Sequence, residues 1–211
     1  MEQETPDEYP PGSDSTPTFA FGAALSPDQA YAGAKSLAVG GARYRLATFD
    51  NPTANHVWAS PSQGAIRCKF RYTTPRPVGA MLFQITGKDL SGQNDTEDAI
   101  KLIIRPSDGF RVTYAWNNGL NTLYRTVTKA VAVDSWATAV VRWNTTSQTN
   151  KLSVEIDGTA SVPTVSPIGN VACSAWHLLL IGNDTGTVPA GLWIDDFEVF
   201  DDWDMTIPAV N

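Results

Sequence analysis

The stretch Ala65-Ile-Arg-Cys-Lys-Phe-Arg-Tyr72 decides the fold. Ile66, Cys68, Phe70 and Tyr72 alternate with Arg67, Lys69 and Arg71, and a period of two sends the two sets to opposite faces of an extended strand. One face is apolar and the other cationic, the signature of an antiparallel sheet with one buried and one wet face. Phe110–Trp116 repeats the pattern, with Phe110, Val112, Tyr114 and Trp116 set against Arg111, Thr113 and Ala115. Lys151–Asp157 does so through Leu152, Val154 and Ile156, and ends in an Asp157-Gly158 turn signal.

Outward from these three, the same reading predicts strands at Ser36–Val39, Arg43–Phe49, Ala80–Thr86, Ala99–Arg105, Thr122–Val127, Trp136–Trp143, Trp176–Gly182 and Leu192–Phe200. The best helical stretch, Pro27–Ala34, is brief and holds Gly33. About eleven strands with almost no helix between them predict an all-β fold, a two-sheet antiparallel jelly-roll sandwich. Composition agrees. Hydrophobic residues make up 42% of the 211, with seven Trp, enough for a substantial core, while 16 Gly and 14 Pro suit many turns. No repeat of 20–50 residues is visible, so the chain reads as one jelly roll over residues 19–203 with a C-terminal tail at 204–211.

Residues 1–18 are different. Pro6, Pro10, Pro11 and Pro17 stand among Glu2, Glu4, Asp7, Glu8 and Asp14 with almost no apolar side chain. Proline removes amide donors and favours extended geometry, so this segment is expected to be an extended acidic arm. An arm without a core of its own needs a partner to hold it, and contact with other protein subunits of a larger assembly through residues 1–18 is the expectation.

The net charge of −7 excludes broad nucleic-acid binding, which needs a positive field. Met1 is followed by acidic residues rather than a basic n-region, and no apolar run approaches the ~18 residues of a membrane span, so neither a secretory signal nor membrane insertion is expected. Cys68 and Cys173 are too few for a disulfide framework or a zinc site, and two buried free thiols are expected, with a Cys68–Cys173 disulfide as the alternative.

Four motifs, in order, carry a family resemblance. Ser36-Leu-Ala-Val-Gly-Gly41 resembles the early strand and turn of concanavalin A-like, laminin-G-like jelly rolls. Asp134-Ser-Trp136 with Ala139-Val-Val-Arg-Trp143 resembles their central strand, and Lys151–Gly158 their hairpin. Leu180-Ile-Gly182 and Gly191–Phe200 resemble their closing strands. The resemblance spans residues 30–203 and implies fold more than activity, because such domains include lectins, glycan-binding modules, hydrolases, lyases and structural appendages of phage heads and tails.

The residues point away from catalysis. Glu155-Ile156-Asp157 begins like the Glu-x-Asp-x-x-Glu of laminarinase-type relatives, but Gly158-Thr159-Ala160 follows and the last Glu is missing. His56 and His177 lack the Arg, Gln and Tyr escorts of the lyases, and no Gly-x-Ser-x-Gly elbow exists. No catalytic residue, no cofactor and no metal residue is assigned. A structural calcium is the one ion considered, for the oxygen-rich Lys88–Asp98 loop with Asp89, Asn94, Asp95, Glu97 and Asp98, which lacks the EF-hand spacing, and for Asp195-Asp196 with Asp201-Asp202.

Two binding sets remain. Trp116, Asn117, Asn118 and Tyr124 offer aromatic rings with amide partners for a glycan, although Trp116 is also in phase with the core residues of its strand. Arg67, Lys69 and Arg71 face outward by phase and offer either an ordinary wet face or a dock for an acidic partner. These features predict a non-catalytic structural or adhesion module, a multi-copy virion decoration or tail appendage tethered by its arm and found on particles or outside the cell after release. A soluble carbohydrate-binding module is the alternative, with a cell-surface glycan as partner. A hydrolase or lyase comes after both.

Overall fold

In the computed structural model the cationic strand runs from Gln63 to Tyr72 and lies in the middle of a seven-stranded sheet. The structure describes residues 18–19, 24–26, 31, 36–38, 43–48, 63–73, 75–88, 94–116, 121–144, 152–161, 175–182 and 191–200. These comprise β1 (Thr18–Phe19), β2 (Ala24–Ser26), β3 (Ser36–Ala38), β4 (Arg43–Thr48), β5 (Gln63–Tyr72), β6 (Met81–Lys88) and β7 (Asn94–Ile104). They continue with β8 (Gly109–Trp116), β9 (Asn121–Thr128), β10 (Ala137–Asn144), β11 (Leu152–Ile156), β12 (Thr159–Ala160), β13 (Ala175–Gly182) and β14 (Leu192–Phe200). Among the described residues there is no helix.

The first sheet has the order β1-β4-β13-β6-β7-β8-β9 and the second β12-β11-β10-β5-β14-β3-β2. Every pairing is antiparallel. Sequence neighbours such as β13 and β14 lie in different sheets, and the chain crosses repeatedly between layers, as a jelly roll requires. The fold class expected from alternation is the fold observed.

The inward faces meet in one core. Ile66, Cys68, Phe70 and Tyr72 of β5, Phe110, Val112 and Tyr114 of β8, and Leu152, Val154 and Ile156 of β11 are all buried in it. Phe70 meets Phe110 edge-to-face across the layers with centroids 5.5 Å apart, and Phe83 of β6 meets Phe197 of β14 at 6.0 Å. The Tyr72 hydroxyl stays satisfied in this core by donating to the Val131 carbonyl at 3.0 Å and accepting from Arg76 at 2.7 Å. Burial also pushes the Cys68 thiol up to about 12, with the Asp196 carboxylate adding to the shift and Lys69 opposing it.

Two backbone features fix register. Asp157 and Gly158 both have positive φ, 43° and 73°, and close a two-residue hairpin between Ile156 and Thr159, as the sequence signal predicts. In β14 the pairing with β5 skips from Asp195, opposite Lys69, to Glu198, opposite Arg67. Three steps on β14 match two on β5, so one extra residue is absorbed there, with Asp196 at φ 47° and its N–H bonded to Asp195 Oδ1 at 2.8 Å. This bulge reverses the strand's alternation. Ile194 precedes it facing the core, Phe197 follows it against Phe83, and Glu198 is delivered to the outer face.

Some boundaries differ from expectation. The predicted Lys88–Asp98 loop is shorter, because Asn94–Asp98 is the first part of β7, with Asp95 paired to Gly87 and Asn94 to Lys88. A register shift between Thr86 and Gly87 lets the strand continue past its apolar half, which is why polar composition reads as loop. Residues 1–17 of the arm, the tail 204–211, Cys173, Trp58, His56, Trp203 and, save Tyr31, the helical candidate 27–34 lie outside the described residues.

Candidate functional site

The outer faces of the two sheets hold every described side chain that the sequence singles out for binding. On the second sheet, alternation does turn Arg67, Lys69 and Arg71 away from the core. The expectation of a wet face is corrected, however, because Arg67 is 8% and Lys69 6% exposed. Arg67 pairs through Nε with Glu198 and lies over the Phe200 ring. Lys69 donates to Thr138 Oγ1 at 2.8 Å and sits 4.4 Å from the Tyr31 ring centroid. Tyr31 in turn meets Trp136 edge-on and donates its backbone N–H to Asp195 at 2.8 Å. Arg71 reaches Asp134 at 3.2 Å. Arg67 and Lys69 are therefore engaged inside the chain, and long side chains that find partners on a sheet bury their stems along it. Of the stripe expected to dock an acidic partner, only Arg71 stays near the surface, and it meets Asp134.

The same face accounts for the near-match to a hydrolase motif. Glu155 pairs with Arg142 at 3.4 Å, and Asp157 sits in the hairpin turn with Oδ1 accepting the Thr138 N–H at 2.7 Å. Both carboxylates are used in holding β10, β11 and their turn.

The first sheet is built differently. Cross-strand register lines up Gln84, Lys101, Thr113 and Tyr124 as one row across β6, β7, β8 and β9, all on the outer side. A second row holds Ile103, Arg111 and Thr126, and a third Thr86, Ala99, Ala115 and Thr122. Four strands spaced at about 4.8 Å put roughly 14 Å between the ends of a row. Tyr124 is 56% exposed at the outer end of the middle row. The Arg111 guanidinium lies 4.9 Å from its ring centroid. From the inner side Arg125 donates to the Tyr124 carbonyl at 2.6 Å.

Electrostatically this region is open. Among the described residues no carboxylate pairs with Lys101, Arg111 or Arg125. Nε of Arg111, and Nε and Nη2 of Arg125, are covered without a hydrogen-bond acceptor, and burial pulls the Arg125 guanidinium down from its ordinary value against the opposing effect of Tyr124. At the β6 end, Gln84 Oε1 and Thr86 Oγ1 are buried with no partner. An exposed ring flanked by idle donors can stack on a sugar face and hydrogen-bond its substituents.

Of the residues expected to bind a glycan, the structure thus places Tyr124 on an outer face. Trp116 ends β8 opposite Asn121, and Asn117 and Asn118 lie outside the described residues. Arg111 and Lys101 are absent from the sequence-derived set. Their alternation is legible, but only the pairing of Thr113 with both Lys101 and Tyr124 reveals that they share a patch. Among the described residues no group of three or more His, Cys, Asp or Glu could hold a metal ion.

No protein-family model and no curated protein sequence matches the chain. Solved structures do match it in fold. The ligand-binding domain of botulinum neurotoxin serotype D, determined with N-acetylneuraminic acid, superposes with a TM-score of 0.58 at 11% identity, over 91% of this chain and 44% of that one. The CBM40 of the Ruminococcus gnavus IT-sialidase, bound to α2,3-sialyllactose, gives 0.59 at 16% identity, over 81% and 91%. A carbohydrate esterase of the Shiga toxin-encoding bacteriophage phi24B gives 0.51 at 17% identity, over 89% of both chains. The chain thus spans less than half of the toxin domain but nearly the whole of the other two. At such identities the likeness establishes the β-sandwich fold.

Proposed function

We propose that the chain is a non-catalytic carbohydrate-binding module that takes a saccharide on the outer face of β7, β8 and β9. The observation that carries this reading is Tyr124, 56% exposed on a regular sheet with Arg111 against its ring. A tyrosine there gains nothing for the core, and its face is the size and polarity that pyranose C–H groups prefer. The sugar ligands named for the toxin and CBM40 domains support the same reading by likeness of fold. The order of the four sequence motifs supports placing the sandwich among concanavalin A-like jelly rolls.

Calorimetry or a glycan array tests it. Tyr124→Ala is expected to weaken saccharide binding roughly tenfold or more, equivalent to about 1.4 kcal/mol, while leaving thermal unfolding unchanged. Undiminished binding by the variant would remove the site.

A second reading has its own support, since one structure of like fold and nearly equal extent comes from a bacteriophage. In that reading several copies of the module are displayed on a virus particle, each held by residues 1–18, and reach the outside of the cell on its release. A lone monomer by mass photometry, together with its absence from purified particles, would count against it. A structural calcium remains a proposal attached to either reading, and a calcium-independent melting temperature would discard it.

A further inference from the structure

We infer that the saccharide bound at the Tyr124 face is an acidic one, bearing a carboxylate or sulfate that Arg111 and Lys101 receive. This inference rests on the carbohydrate-binding reading and narrows its ligand class. The argument begins with a difference inside one chain. On the second sheet Arg67, Arg71 and Arg142 meet Glu198, Asp134 and Glu155. On the first sheet Lys101 and Arg111 stand on adjacent rows of one face and meet no carboxylate among the described residues. In a protein of net charge −7 acidic side chains are not scarce, so an outer face that keeps two cations beside an exposed ring is matched to an anion from elsewhere.

The geometry suits a sugar acid better than a simple ion. Arg111 covers one side of Tyr124, and its Nε has no acceptor. A guanidinium presents a planar fork that a carboxylate or sulfate can bridge while the sugar ring rests on the neighbouring aromatic. Lys101 lies two strands from Tyr124 along the same row, about 10 Å, which is the span of roughly two sugar residues. Threonines line the path, with Thr113 between Lys101 and Tyr124, and Thr122 and Thr126 on either side of Tyr124 along β9. Their hydroxyls can donate to and accept from sugar hydroxyls. From beneath, the Arg125 bond to the Tyr124 carbonyl fixes the backbone that carries the ring.

The test is a glycan array of matched acidic and neutral saccharides, α2,3-sialyllactose beside lactose and uronic-acid or sulfated oligosaccharides beside their uncharged counterparts. It is followed by titration of the best binder with the intact chain. Acidic members should bind at least tenfold more tightly than their neutral counterparts. The preference should vanish in the Arg111→Gln, Lys101→Gln double variant and persist in Arg71→Gln, whose cation lies on the other sheet. Raising salt toward about 0.5 M, where the Debye length falls to roughly 4 Å, should weaken acidic ligands on the unaltered protein and so tests the charge without relying on any variant. Equal binding of acidic and neutral members, insensitive to salt, overturns this inference and leaves the carbohydrate reading standing. Silence toward every saccharide of either kind overturns both.

Discussion

Arg67 and Arg111 occupy equivalent situations in the alternation of their strands, each facing outward from the middle of a β-strand, yet their surroundings are opposite. Arg67 is covered, paired with Glu198 and laid over Phe200. Arg111 is half-buried, meets the Tyr124 ring and no carboxylate among the described residues, and keeps an idle donor. Around them the two outer faces diverge in the same sense. One interlocks cations with carboxylates and closes over them with Tyr31 and Trp136. The other sets cations, hydroxyls and an exposed ring side by side. A charge whose partner is in the chain contributes to the fold, and a charge whose partner is missing is available to a ligand. The same residue type therefore carries different information depending on what the neighbouring strand supplies.

The largest effect expected from breaking this comparison lies in stability. Glu198→Gln removes the carboxylate charge paired with the covered Arg67 guanidinium, a change that costs roughly 3 kcal/mol, and urea unfolding should show it. Arg111→Gln on the other face should cost under about 1 kcal/mol, the scale of a cation–π contact at a half-exposed site. Equal losses would erase the distinction between the faces.

An intermediate effect concerns what the covered face shields. The Cys68 thiol lies on the core side of β5, and its value of about 12 in the folded chain stands above the ordinary thiol value of 9.0. A proton held more tightly by the folded state gives stability that is complete below pH 9 and is lost as pH rises toward 12. In a Cys173→Ser background, native protein at pH 8 should therefore resist alkylation for hours and react within minutes in denaturant, as mass spectrometry can follow. Rapid native labelling would mean the face opens readily.

The smallest effect sharpens the open side. The Thr86 hydroxyl is buried without a partner, so Thr86→Val removes an unpaired polar group at nearly constant volume. It should leave stability unchanged or raise it by up to about 1 kcal/mol in thermal unfolding. A clear loss would show that this hydroxyl has a partner after all.

Much of the fold was legible in the sequence because period-two alternation is a direct imprint of a half-buried sheet. Strand β14 was read at its exact bounds, Leu192–Phe200, and β5, β8 and β10 within two residues at each end. The short strands β1, β2 and β12 are missed, and β3 is placed one residue too long, since two or three residues carry no period. Asn94–Asp98 was read as loop because its pairing depends on a bulge and not on its own polarity. The site was legible only in part. Tyr124 stands out as an aromatic in a polar strand, whereas Arg111 looks no different from Arg67 until cross-strand register shows which one has a carboxylate opposite.

The extra residue in β14 has one more implication. It behaves as a spatial reading frame, because everything after Asp196 takes its side, inner or outer, from that single insertion. A β14 pulled straight with Asp196 still in it would keep the same composition and strand length. Yet that straight strand would drive Glu198 toward the core and Phe197 toward water, taking the Glu198 charge from Arg67 and the Phe197 ring from Phe83. Loss of the bulge, and not of the residue, would thus turn half a strand inside out, whereas deletion of Asp196 would set two steps opposite two and leave Glu198 facing Arg67.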